Sequence, residues 1–122
     1  MSDLTPMQTF SELIHALNTL SLGYIHCIEG TARENRSNTF DFVSLRYKFR
    51  GLYIANNMYT LDMAKQAIDN NHADLICFGR PFIANPDLVF RLRSNIPLTD
   101  APKETWYGGN EFGYTDWPNA VK

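Results

Sequence analysis

Apolar residues fall along this chain in two alternating rhythms, helical stripes and short unbroken runs. Phe10, Leu13, Ile14, Leu17 and Leu20 recur at the i, i+3, i+4, i+7 spacing of a helix with one face on a core. Thr5-Pro6-Met7-Gln8 ahead of them has the form of a capping box with proline at the first helical position. Tyr24 to Ile28, bounded by Gly23 and Glu29-Gly30, is a short apolar run that reads as a buried strand. Thr31 to Thr39 is polar and reads as a surface loop. Phe42, Leu45, Arg46 and Phe49 return to helical spacing, which predicts a short helix over Asp41 to Phe49 that ends near Gly51. Leu52 to Ala55 is the next apolar run, closed by Asn56-Asn57. Thr60 caps a helix carrying Leu61, Ala64, Ala67 and Ile68 that stops at Asn70-Asn71. Leu75 to Phe78 follows without alternation, the pattern of a parallel strand covered on both faces.

Gly79 ends that run. Glycine tolerates positive φ and lets the backbone approach a ligand closely, and Pro81 disfavours the helical region for Arg80, so an extended, presented Arg80 is expected. Asn85-Pro86-Asp87 then reads as a helix start, with Asn85 at the N-cap and Pro86 at N1. Asn95 and Pro97 stop that helix. The tail from Thr99 to Lys122, rich in glycine, proline and aromatic residues, reads as ordered loop with one short helix. Strands separated by helices with short joins imply right-handed crossovers and a parallel sheet, so the fold class is α/β.

Composition narrows the function. A net charge of −2, with 44% hydrophobic and 20% charged residues, makes no electrostatic case for nucleic acid or an anionic membrane. The N-terminus has neither a basic n-region nor an apolar h-region, and no apolar run approaches spanning length, so a soluble cytoplasmic chain is expected. Cys27 and Cys77 lie in apolar runs and read as buried free thiols. Asn35-Arg36-Ser37 matches a glycosylation sequon, a coincidence in a chain without a secretory signal. The 122 residues suffice for one domain with a core.

In parallel α/β folds ligands bind beyond the carboxyl ends of the strands, and two such loops stand out here. Asn56-Asn57-Met58-Tyr59 leads into a helix N-terminus, where free N–H groups favour an anion. Gly79-Arg80 offers further backbone donors and a guanidinium fork suited to phosphate oxygens. Together they could cradle one phosphate. The alternative for Arg80 is a loop arginine paired with Asp87 or Glu104.

The wording Gly-Arg-Pro-Phe-Ile-Ala-Asn-Pro-Asp-Leu at 79–88 closely resembles the last barrel strand of the old yellow enzyme family, the FMN-dependent NAD(P)H oxidoreductases. The resemblance continues through Ile96-Pro97-Leu98-Thr99, Trp106-Tyr107-Gly108-Gly109 and Gly113-Tyr114-Thr115-Asp116-Trp117-Pro118, and upstream through Tyr24-Ile25-His26 and Leu52-Tyr53-Ile54-Ala55. It implies a partial (β/α)8 TIM barrel, one incomplete segment over residues 1–122 holding the last three βα units and a loop-rich tail, since a whole barrel takes about 250 residues. It implies FMN as cofactor, NAD(P)H as reductant and an α,β-unsaturated carbonyl as substrate. FMN phosphate would be held at Asn56, Asn57, Gly79 and Arg80, with Met58 near the flavin ring. Many family members carry glycine at the position of Asn56; asparagine is at ease in the left-handed region, so the turn is expected to survive. The resemblance places Tyr114 over the flavin, facing substrate, the alternative being an aromatic that pins the tail. It places Phe40 at the substrate mouth.

No residue here is a candidate for the catalytic chemistry itself, which in the family lies on earlier strands. His15 and His72 read as solvent-facing, and His26 and Glu29 alternate faces of a strand, so no metal set forms. No serine or cysteine stands at a strand-to-helix elbow as a hydrolase would need. Three parallel strands also leave an uncovered inner face and open edges, through which self-association is expected. The rival to an oxidoreductase is an inactive remnant that binds a phosphate-bearing ligand.

Overall fold

The structure, a computed structural model, describes residues 3–30, 40–107 and 110–120. The loop predicted at 31–39 with its sequon, and Gly108-Gly109, lie outside them. Helices alternate with strands: α1 Pro6–Leu17, β1 Tyr24–Ile28, α2 Phe42–Lys48, β2 Leu52–Asn56, α3 Leu61–Asp69, β3 Leu75–Cys77, α4 Arg80–Ala84 and α5 Leu88–Ser94. Short 3-10 turns stand at Asn18–Leu20 and Lys103–Thr105. Two compact units result, Met1–Cys77 and Phe78–Lys122.

The first unit holds a parallel sheet in the order β1-β2-β3, as the alternating rhythm predicts. Register sets Ile25 beside Tyr53, and Cys27 beside Ala55 and Ile76, on one face. The other face carries Tyr24 beside Leu52, and His26 beside Ile54 and Leu75. Only the first is covered. Tyr53 and Ala55 are fully buried there with Ala67 of α3 and Ala73, while Ile14 of α1 and Leu45 of α2 close over Ile25 with Phe49. Tyr24, Ile28, Leu52 and Leu75 remain 49% to 65% exposed. The strands are therefore half-wet rather than covered on both sides. An unbroken apolar run places hydrophobic side chains on both faces but says nothing of how many faces the helices reach. The two cysteines are free, and half-buried rather than buried.

Local signals shape the joins. Thr60 caps α3, its hydroxyl accepting the Met63 N–H at 3.2 Å, and Asp41 caps α2 by accepting the Ser44 N–H at 2.9 Å. Asn71, at φ 57°, ends the α3 turn in the left-handed region, as its asparagine pair predicts. The capping box at Thr5 does not form: its side chain takes no cap bond, and the Gln8 amide bonds Glu12 instead. Nor does the whole α1 stripe reach the core. Ile14 is buried, whereas Phe10 and Leu13 line an apolar hollow of about 1200 Å³ with Met7, Ile25, Phe40 and Phe42. Gly51 is required where it stands, because a Cβ there would meet the Phe49 ring and the Leu22 and Gly23 carbonyl oxygens at 2.7–2.8 Å.

In the second unit Arg80 is not extended but opens α4, with Pro81 in the next position. Proline disfavours a helical residue before it, yet its fixed φ and missing N–H suit a first turn, and here the second effect prevails. Gly79 lies at φ −90°, not in the left-handed region, and a Cβ there would meet nothing within 4 Å, so neither conformation nor packing within the chain requires glycine at this position. Asn85 is not the cap of α5 either. Fully buried, its amide donates to the carbonyls of Pro81 at 2.7 Å and Thr99 at 2.8 Å and accepts the Thr99 N–H at 2.9 Å. Asp87 opens α5, and Asn95 in the left-handed region closes it.

Candidate functional site

The residues singled out in the sequence fall into two groups, one in each unit. In the first unit β2 ends at Asn56, whose partners in register are Ile28 and Cys77, so this residue is still strand. The left-handed residues are the two that follow, Asn57 at φ 102° and Met58 at φ 54°. The expected accommodation at Asn56 is thus displaced by one position, because Asn56 is held extended by pairing on both sides. Its side chain instead accepts the Asn57 N–H at 2.6 Å. The Met58 N–H has no partner among the described residues, and the Met58 side chain is exposed.

The N-terminus of α3 is less open to an anion than the sequence suggests. Thr60 already takes one of its N–H groups, and Asp62 puts a carboxylate in the first turn. The turn ahead of the helix adds the Met58 N–H.

Beneath that turn sits a cluster that the sequence reading passed over. Glu29, just beyond β1, is buried, and its carboxylate accepts Tyr53 Oη at 3.0 Å and Tyr59 Oη at 2.6 Å. Its carbonyl accepts Asn57 Nδ2 at 2.5 Å, and its N–H donates to the Asn56 carbonyl at 3.0 Å. Burial, and then the adjacent Glu29 charge, push the Tyr53 phenol far above its usual range. Burial likewise raises the Cys27 thiol, against a smaller opposing effect of its hydrogen bond with Tyr53, so this thiol stays protonated and unreactive at neutral pH. The available signal was a lone acidic residue closing an apolar run, which needs partners if it is buried.

In the second unit Arg80 is exposed, and its guanidinium lies over the Trp106 ring, 5.0 Å from the centroid. Such stacking leaves the N–H fork free for an anion. Asp87, expected as a possible partner, is engaged elsewhere: Arg91 Nε bonds its carboxylate at 2.7 Å, and the Ala120 N–H bonds the other oxygen at 2.7 Å. No carboxylate among the described residues pairs with Arg80. Arg91, itself buried, also donates to the carbonyls of Pro97 at 3.2 Å and Pro118 at 3.3 Å. Trp106 is steadied by a bond from its indole N–H to the Ala101 carbonyl at 2.9 Å.

Of the two expected substrate residues, Tyr114 is 53% exposed, in a turn where its N–H bonds the Glu111 carbonyl at 3.1 Å. Phe40 is half-buried, edge-on to Phe10 at 5.6 Å and tilted on Phe42 at 4.6 Å. It packs against the Ile14, Leu45 and Phe49 core. His15 and His72 are exposed, as expected. No helix among the described residues is long and apolar enough to cross a membrane.

Residues 3–99 match the family described as NADH:flavin oxidoreductase / NADH oxidase. A 12-oxophytodienoate reductase-like protein of Solanum lycopersicum is 39% identical over 107 residues, covering 87% of this chain and 29% of that protein. Putative 12-oxophytodienoate reductase 3 of Oryza sativa is 33% identical, covering 95% of this chain and 32% of its own length. Among solved structures, the old yellow enzyme homologue of Zymomonas mobilis superposes with TM-score 0.87 at 35% identity, over 95% of this chain and 34% of that one. The old yellow enzyme of Trypanosoma cruzi does so with TM-score 0.86 at 34% identity, over 98% and 32%. The chain thus spans about a third of the length of the curated relatives it matches. Its three parallel strands and their helices are a partial TIM barrel of the old yellow enzyme kind.

Proposed function

The chain belongs to the NADH:flavin oxidoreductase / NADH oxidase family, and from that membership we propose that it serves an FMN-dependent, NAD(P)H-driven reduction of α,β-unsaturated carbonyl compounds. The observation that carries the reading is the family match over residues 3–99, which takes in both strand-end turns. The residues present suit a nucleotide phosphate. Asn56, Asn57 and Met58 form a turn whose Met58 N–H has no partner among the described residues, and Gly79 and Arg80 bring a guanidinium with no carboxylate partner among them. When bound, FMN supplies hydride transfer from NAD(P)H to the enone β-carbon. This chain's part is to bind and orient: the Asn56–Met58 turn offers a phosphate its N–H, Arg80 offers a guanidinium, and the family resemblance assigns Met58 to the flavin ring and Tyr114 and Phe40 to the substrate side. Association with other polypeptide, a second copy included, would use the outer edge of β1, which pairs with no strand among the described residues.

A second reading, a chain that holds a phosphate-bearing ligand without turnover, is favoured by the apolar sheet face left open at Tyr24, Ile28, Leu52 and Leu75. Titration with FMN and with riboflavin, followed by quenching of flavin fluorescence, separates the readings. Binding that bleaches with NADPH and recovers with an enone supports the oxidoreductase; binding without bleaching supports the second reading. Arg80→Ala should weaken FMN about tenfold or more, as loss of a charge-assisted hydrogen bond does, and leave riboflavin unchanged. Equal FMN affinity in wild type and Arg80→Ala would overturn the phosphate role.

A further inference from the structure

We infer that Glu29 is a positioning residue that holds the Asn56–Met58 turn in its left-handed form, and so sets the donor geometry which the reading above assigns to a phosphate. Two successive non-glycine residues at positive φ persist only where their surroundings over-determine them. Asn57 and Met58 are such a pair. Glu29 is bonded to both flanks of the turn and to its interior. Its carboxylate takes Tyr53 Oη from β2 before the turn and Tyr59 Oη after it. Its backbone closes on Asn56 through N–H and on Asn57 through C=O. The consequence is an allocation of donors. Asn57 Nδ2 is spent on Glu29 and the Asn57 N–H on the Asn56 side chain, which leaves the Met58 N–H for a ligand. A buried carboxylate is tolerated only with its oxygens bonded, so the same bonds that satisfy Glu29 also pin the turn.

The test uses the full chain with Glu29→Ala, Glu29→Gln and Tyr59→Phe. Amide hydrogen exchange by NMR should rise about tenfold or more at Asn57, whose N–H is hydrogen-bonded within the turn, in Glu29→Ala, while α5 amides stay as in wild type. Glu29→Gln keeps the shape and an acceptor, and should restore most of the protection. Tyr59→Phe removes one hydroxyl and should loosen the Asn57 amide by a smaller factor, which serves where Glu29→Ala does not fold. In the flavin titration, Glu29→Ala should lose the preference for FMN over riboflavin, and Glu29→Gln should keep it. If wild type shows no such preference, the phosphate reading falls, and the exchange data alone decide whether Glu29 holds the turn. Unchanged exchange at Asn57 in both Glu29→Ala and Tyr59→Phe overturns the inference.

Discussion

The two units hold their shapes by different means. Unit Met1–Cys77 is built on apolar contact: Tyr53, Ala55, Leu45, Phe49 and Ile14 are buried between a sheet face and its helices, and Glu29 is a polar hub set into that core. Unit Phe78–Lys122 buries only Ala84 and Leu88 among its described hydrophobic residues, and its long tail is held by side chains that bond main chain. Asn85 grips Thr99, Arg91 grips Pro97 and Pro118, and Asp87 grips both Arg91 and Ala120. The difference teaches why one unit follows from a hydrophobic pattern and the other does not. Apolar burial is non-directional and leaves a periodic trace, whereas polar anchoring depends on single residues at irregular spacing.

The largest expected effect tests the first half of that contrast. Leu45→Ala removes a side chain only 2% exposed between Ile14 and Phe49 and should cost about 2–5 kcal/mol in urea unfolding. A loss below about 1 kcal/mol would mean that apolar packing does not dominate there. Next in size, Asn85→Ala should cost about 1–3 kcal/mol, because it leaves the Thr99 N–H and two carbonyls without their partner. Its mark is local: amides from Thr99 onward should lose exchange protection more than those of α1. Asn85→Asp keeps the acceptor but turns a carboxylate oxygen toward the Pro81 and Thr99 carbonyls, and should cost at least as much as Asn85→Ala.

The smallest effect is in pH. The Arg91 hydrogen bond holds the Asp87 carboxyl below its ordinary value of 3.8, and the Ser44 hydroxyl does the same for Asp41. Each carboxylate binds its proton more weakly folded than unfolded. The stabilisation is therefore complete above pH 3.8 and fades as pH falls from there through the lowered folded value. Carboxyl NMR titration should find both groups shifted down, and Arg91→Gln should return Asp87 towards 3.8 while Asp41 stays low. An unmoved Asp87 would break the claim that Arg91 is its main partner.

Much of the fold was legible before any coordinates. The strand at Leu52, the Thr60 cap, the Asn71 and Asn95 stops and the parallel order all follow from residue type and spacing. The site was legible in part. Which residues stand at the strand ends could be read, but Asn57 and Met58 rather than Asn56 turn left-handed, because pairing on both sides of Asn56 is a tertiary fact. Glu29 was invisible as a hub, since Tyr53 and Tyr59, which satisfy it, are separated from it by more than twenty residues of chain.

By itself the sequence determined the succession of helices and strands as far as β3, the Thr60 cap, the Asn71 and Asn95 stops, and the family wording around Gly79 and Asn85, because each rests on local conformational preference or on residue identity. Only the tertiary structure decided that Arg80 starts a helix and stacks on Trp106, and that Asn85 and Arg91 bind the tail. Those outcomes turn on which distant groups arrive to cover a surface or accept a hydrogen bond, and spacing along the chain does not encode that arrival.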